Sequence, residues 1–319
     1  MTKKFSRIIA GGFLAMTLFA TPVFAAPMSF DADSAIIQYT QKLQSTPNNP
    51  VLYHNRGYAY KLKKDYNKAI ADFTRAIELD PNYSDAYNNR GTVYEILDRF
   101  DEAYNDYNRA VETNPNNAVA LNNRGLITGK MADYKQKSGT DTSTIYDHAI
   151  RDFSRAIEIN PSYSEAYQNR GVVYSWMGGK ERQAIDDLSR AIELGINTAN
   201  IYSTRGSCYR ITEEQDRALA DFNKALSIDP NDGNIYNNRG LIYFDKQEYQ
   251  RAIADFKKAI EIGSTLTSAF TNLGLCYYAL GDYDAAIDCY NRALSVNQNF
   301  QPAIQNMQVA YEAKAKRRR

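Results

Sequence analysis

From residue 50 onward the apolar positions fall into paired stripes at helical spacing, and the pairs recur. In residues 84–117, Tyr87, Gly91 and Tyr94 mark one stripe, and Ala103, Tyr107 and Ala110 mark a second, with Pro115 behind them. Steps of three and four residues put each set on one face of an α-helix. The stretch therefore predicts a first helix from Ser84 to about Leu97 and a turn at 98–100. A second helix begins near Asp101, whose carboxylate is placed to cap it, and stops before Asn114 and Pro115. Gly91, Ala103 and Ala110 are small where two antiparallel helices would cross. The tyrosines are large, as interlocking ridges require, and read as core rather than as a ligand stack.

Glycines in the Gly91 position stand at 57, 91, 125, 171, 206, 240 and 274, at spacings of 34, 34, 46, 35, 34 and 34 residues. Such a period marks a solenoid whose units bury their apolar faces against one another. The units are 50–83, 84–117, 118–163, 164–198, 199–232, 233–266 and 267–300. The third carries twelve extra residues within 129–147, and the polar run 138–143 predicts a protruding loop there. Residues 26–49 read as a lead and one capping helix over 31–44, started by Asp33 or Ser34. Residues 301–319 read as a closing helix to about Ala315 with a basic tail, Lys314, Lys316, Arg317, Arg318 and Arg319.

The first 25 residues differ in kind. Lys3, Lys4 and Arg7 precede an apolar run over 8–20, and Pro22, Val23, Phe24 and Ala25 follow. This is the layout of a secretory leader cut after Ala25, and the run is too short to span a bilayer. The expectation is export, to a periplasm or beyond, with no integral membrane segment in the mature chain. Three cysteines then face an oxidising compartment. Cys276 and Cys289 lie on the two helices of one unit, which allows a disulfide and equally allows two buried thiols, while Cys208 stands apart. A formal charge of +1 gives no reason to expect nucleic acid. Tyrosine is over-used, 25 against one tryptophan, because it recurs in nearly every unit.

Two polar series run through the units. Arginine precedes the glycine in six of them: Arg56, Arg90, Arg124, Arg170, Arg205 and Arg239. The same six carry aspartate before the large apolar residue of the second helix: Asp72, Asp106, Asp152, Asp187, Asp221 and Asp255. The seventh has Leu273 and Cys289 instead. Charges that appear and vanish together predict ion pairs between the two helices of a unit. The second series is Asn55, Asn89, Asn123, Asn169, Asn238, Asn272 and, in the closing helix, Asn306, with Thr204 as the interruption. An amide offers a donor and an acceptor, matching one peptide group of an extended chain. The same amides could instead bond from repeat to repeat.

Together these residues resemble the tetratricopeptide repeat family over 50–300. The resemblance implies an all-α, right-handed superhelical solenoid of antiparallel helix pairs, seven units with a capping helix at each end. It implies that the first helices line a concave groove binding a protein or an extended peptide, and asparagine ladders occur in peptide-gripping members. It also implies no cofactor and no chemistry of its own. The basic clamp for a chain-terminal carboxylate is not recognisable, since Asn88, Asn122, Gln168, Ser203 and Asn237 hold the neighbouring positions. Catalysis finds no other support. His54 and His148 stand on different units without a metal-ligand partner at helical spacing, and no nucleophile elbow or phosphate loop is present. Trp176, beside Gly178 and Gly179, reads as a turn-packing residue. The expectation is an exported, non-enzymatic scaffold, with a carbohydrate- or cell-wall-binding module as the alternative use of a polar groove.

Overall fold

A computed structural model of the chain describes residues 31–136, 143–263 and 266–317. The leader expected over 1–25 lies outside them. Sixteen α-helices and no strand occur among the described residues. The first, α1 (Ala32–Ser45), precedes seven pairs: α2 (Pro50–Leu62) with α3 (Tyr66–Leu79), α4 (Ser84–Ile96) with α5 (Phe100–Thr113), α6 (Ala118–Gln136) with α7 (Ser143–Ile159), and α8 (Ser164–Met177) with α9 (Glu181–Glu193). The series continues with α10 (Ala199–Ile211) and α11 (Gln215–Ile228), α12 (Gly233–Asp245) and α13 (Tyr249–Ile262), and α14 (Leu266–Ala279) and α15 (Tyr283–Val296). It closes on α16 (Gln301–Arg317). The chain divides into two compact units, one up to Ile196 and one from Asn197 onward. Within each, consecutive helices pack into an all-α stack of repeats.

The close crossing within each pair is visible in the glycines. A Cβ on Gly91 would sit 2.8 Å from Tyr107 Cε1, and one on Gly240 2.7 Å from Phe256 Cε1. The second helix answers with a fully buried large side chain: Phe73, Tyr107, Phe153, Leu188, Phe222, Phe256 or Tyr290. No other residue lets the two backbones approach this closely.

The turns close by a repeated device. Lys64, Asp98, Glu213 and Gln247 hold φ values of 61°, 56°, 63° and 62°, and Gly281 stands in the same place at 80°. The next amide then reaches back to the first helix: Asp65 N to Tyr60 O, Arg99 N to Tyr94 O and Asp282 N to Tyr277 O, each at 2.9 Å. This is the hydrogen-bond pattern of a left-handed helix stop. At the other end, Asp80, Asn114, Asn160, Asp229 and Asn297 each accept from the amide two residues on, at 2.9–3.1 Å. Those side-chain turns end the second helices, and proline follows four of the five.

Three expectations differ from the structure. The helix cap ahead of α5 is Arg99 with no side-chain bond, so Asp101 lies two residues too far in. Asp65 and Asp282 occupy the equivalent place in other units and do cap, accepting from Lys68 N and Ala285 N. At α1 the cap is Asp31, not Asp33 or Ser34. The extra residues of the third unit lengthen its helices, α6 to 19 residues and α7 to 17, where α4 has 13 and α5 has 14. The extra length expected in the turn within 129–147 is thus largely helix, and 137–142, which hold most of the 138–143 run read as a protruding loop, lie outside the described residues. Two residues of the basic tail are also tied down. Lys314 bonds Asp284, and Arg317 Nη1 donates to Gly281 O at 2.8 Å.

A Gly240→Ala substitution forces Phe256 from its place and is expected to cost about 1–3 kcal/mol, read as a lowered midpoint in chemical denaturation.

Candidate functional site

The structure brings all six arginine–aspartate pairs together. In each, Nε and Nη2 of the arginine donate to the two carboxylate oxygens at 2.7–2.8 Å. The aspartate side chains are 7–12% exposed and the arginines 16–22%. Such two-pronged pairs are the strong form of a charged hydrogen bond. The remaining nitrogen is used as well. Nη1 of Arg56, Arg90, Arg124, Arg170 and Arg239 donates backward to Thr40, Thr74, Asn108, Ser154 and Asn223, each on the preceding second helix. One guanidinium therefore ties three helices.

The tyrosines complete this arrangement. Arg56 lies over Tyr53 and Tyr60, Arg90 over Tyr87 and Tyr94, Arg205 over Tyr202 and Tyr209, and Arg239 over Tyr236 and Tyr243, all within 5.5–6.0 Å of the ring centroids. Positions three before and four after an arginine lie one turn to either side on the same helix face. The rings can thus enclose the cation and attract it. The third unit has Leu121 and Thr128 there and keeps its ion pair without the rings.

The asparagines form an inter-repeat ladder. Asn123 Nδ2 donates to Asn88 Oδ1 at 3.0 Å, Asn169 Nδ2 to Asn122 Oδ1 at 3.0 Å and Asn272 Nδ2 to Asn237 Oδ1 at 2.9 Å. Asn89 Nδ2 meets His54 Nε2 at 2.8 Å, which leaves the other ring nitrogen to donate to Asn55 Oδ1 at 3.3 Å. Asn123, Asn169, Asn272 and Asn306 are only 3–6% exposed. Asn123, Asn169 and Asn272 each give an N–H to the preceding repeat, and all four side chains leave little surface open to a ligand. Asn55, Asn89 and Asn238 are half-buried and keep part of their surface.

The ladder exists because successive first helices touch. Within the first unit α2 meets α4, α4 meets α6 and α6 meets α8; within the second α10 meets α12, α12 meets α14 and α14 meets α16. Successive second helices make no such contact among the described residues. The first helices therefore line the inner, more tightly spaced face of each unit.

On that face, five residues beyond the six arginines and Leu273, the chain has Lys61, Glu95, Gly129, Ser175, Arg210, Phe244 and Tyr278. Lys61 Nζ donates to Asn89 Oδ1 at 3.0 Å and lies 4.6 Å from the Tyr58 ring centroid. It forms no ion pair among the described residues, and burial pushes its pKa down to about 8. Arg210 likewise forms no ion pair there; its Nε is buried without a hydrogen-bond partner, and burial lowers its pKa. Glu95 is committed, accepting from Tyr107 Oη at 2.8 Å and Lys130 Nζ at 2.6 Å. Sequence reasoning that follows recurring residues passes over this position because it varies. Variation was the available signal, since a position that differs between copies is free of the duty the copies share.

The other candidates settle quickly. Cys208, Cys276 and Cys289 are all buried, Cys276 and Cys289 as free thiols, and burial raises Cys276 to about 12 and Cys289 to about 11. His148 is exposed. Trp176 packs against Tyr146 with ring centroids 6.2 Å apart.

Two outcomes follow for these side chains. Asp106→Ala leaves a guanidinium facing no carboxylate and should cost about 3–5 kcal/mol, whereas Arg90→Leu with Asp106→Cys, the residues found at 273 and 289, should be near neutral. A double-mutant cycle by chemical denaturation measures both; additive losses would remove the pairing from the account. Lys61 has its folded pKa below its unfolded value of 10.5. Between about pH 8 and 10.5 the unfolded chain binds the extra proton, so stability rises with pH, and the full penalty is present below 8. Lys61→Met should therefore stabilise the protein by about 1–3 kcal/mol at pH 7, with the gain gone near pH 10.5.

Comparison with known proteins agrees with this architecture. A family model described as "Tetratricopeptide repeat" matches residues 50–83, 84–117, 233–265 and 267–300, and a second, "TPR repeat", matches 206–247. No curated protein matches the sequence. Similar solved structures include YrrB, described as a TPR protein with an unusual peptide-binding site, at 18% identity and TM-score 0.51 over 63% of this chain and 97% of that one. A tetratricopeptide repeat protein from Parabacteroides merdae gives 18% and 0.52 over 87% and 99%. The C-terminal part of a TPR repeat-containing protein from Cytophaga hutchinsonii gives 18% and 0.55 over 79% and 98%. At these identities the likeness is one of fold. The repeat spacing, the glycine crossings and the matched repeats lead to one assignment: this chain belongs to the tetratricopeptide repeat family, whose members are in general non-catalytic protein-interaction scaffolds.

Proposed function

We propose that the chain is an exported scaffold that holds an extended segment of a partner protein against the inner face lined by its first helices. The observation that carries this is a cation on the inner face of each compact unit taken by itself, Lys61 in one and Arg210 in the other, neither in an ion pair among the described residues. A half-buried cation outside an ion pair is costly, even where, as for Arg210, a carboxylate (Asp245) acts on it from beyond bonding distance, and such costs gather at functional sites. Lys61 has three donors and one bonded acceptor, Asn89 Oδ1, so it can take carbonyl groups of a bound chain. Tyr58, Thr92 and the half-buried Asn55, Asn89 and Asn238 supply the surrounding polar surface. The buried members of the ladder hold the face in shape. YrrB, a protein of the same fold, is described as having a peptide-binding site. The leader read at 1–25 assigns the partner to the cell envelope or the exterior, with a bacterial envelope the setting that fits best.

The test joins Lys61→Gln with Arg210→Gln, both outside the ladder and the ion pairs. Wild type should capture a protein from envelope extract, and the double variant, with its denaturation midpoint kept, should lose it. Capture of glycan or wall material alone would put the carbohydrate-binding alternative in its place; unchanged protein capture would remove the two cations from the site. N-terminal sequencing of the exported product should begin at Ala26, and an intact leader on a cell-associated protein would end the export reading.

A further inference from the structure

The seventh repeat lacks the guanidinium tie at all three of its ends. Where other units have arginine, aspartate and a small polar residue on the preceding second helix, it has Leu273, Cys289 and Lys257. The two aromatic walls remain as Phe270 and Tyr277. The space that a guanidinium occupies elsewhere is open here, as a cavity of about 320 Å3 lined by Phe270, Leu273, Tyr277 and Cys289. That is near the lower end of the size range of ligand sites.

The floor is apolar, since Leu273 and Cys289 are 5% and 6% exposed and both belong to the hydrophobic cluster with Phe256 and Cys276. The rim is charged. Asp288 and Arg292 pair with each other at 2.9 Å, and Asp282 is occupied as the cap of α15. Lys257, exposed at the mouth, is the rim cation with no ion-pair partner among the described residues. An entering group therefore meets apolar walls first and one available positive charge at the edge.

We propose that this cavity receives an apolar side chain of a partner polypeptide, with a carboxylate of the same segment set against Lys257. A guanidinium is disfavoured because the carboxylate that receives it in the other six units is here a thiol. The cavity lies among α13, α14 and α15, apart from the first-helix positions of the inner face, so the two readings stand or fall separately.

N-acetyl-phenylalanine and its amide serve as probes, followed by methyl NMR on the full chain. Saturable shifts are expected at Leu273 and Ala285, with the acid bound up to about fivefold tighter than the amide, the range for one partly exposed charge pair. Lys257→Gln should erase that preference and leave the amide unchanged. Leu273→Trp should fill the cavity and abolish both. Leu273→Arg with Cys289→Asp restores the residues of the other units and closes the space by a second route, should the tryptophan disturb the fold. Absence of a saturable shift, equal binding of acid and amide by the wild type, or binding that survives both closures would overturn the proposal.

Discussion

One guanidinium in each of the first six repeats holds this architecture in register. Its two-pronged bond to aspartate fixes the second helix against the first, and its remaining nitrogen reaches the preceding repeat. The position is half-dry, so the carboxylate is not optional: a charge left there alone would lose hydration with nothing in return. The tyrosines to either side shield the cation while leaving it accessible to its partners. The high tyrosine content of the chain is in part a consequence of this arrangement.

The same economy explains the inner face. A solenoid curves when one set of helices packs more closely than the other, and within each unit successive first helices touch while, among the described residues, successive second helices do not. Polar residues trapped in that closer contact must bond one another, and the asparagine ladder is how they do so. What remains for recognition is the surface the ladder does not use. The position five beyond the arginine, with Lys61, Glu95, Ser175, Arg210, Phe244 and Tyr278, differs from copy to copy, and Glu95 among them is already committed to Tyr107 and Lys130. In a duplicated chain the constant positions build the stack and the varied ones are free to distinguish partners. The seventh repeat extends this logic to the tie itself: losing arginine, aspartate and their third partner together leaves no orphaned charge, only a space.

Much of this was legible beforehand. The 34-residue period and the glycine–large residue crossings are local patterns whose physics requires no knowledge of the fold. The arginine–aspartate pairing was legible for a different reason, because seven copies in one chain let two positions be compared, and they change together at 273 and 289. Helix caps were less legible. Asp101 and Asp65 both stand near the start of a second helix, but they differ by two residues in their place in the repeat, enough to move a carboxylate off the free amides. The third unit misled in the same way, since polar, glycine-bearing sequence reads as loop while most of the extra length extends α6 and α7.

By itself, then, the amino-acid sequence determined the repeat, the helix pairing and the partners of the six buried aspartates, because those depend on spacing along the chain and on the cost of leaving a charge alone. It left open whether an asparagine facing the inner side would meet a ligand or the next repeat. Only the tertiary structure decided that, because the distance between neighbouring first helices is set by the packing of whole pairs. At the spacing observed, Asn123 reaches Asn88 and Asn169 reaches Asn122, and those amides belong to the scaffold. The same packing leaves Lys61 and Arg210 outside any ion pair among the described residues, which no reading of their neighbours in sequence could have established.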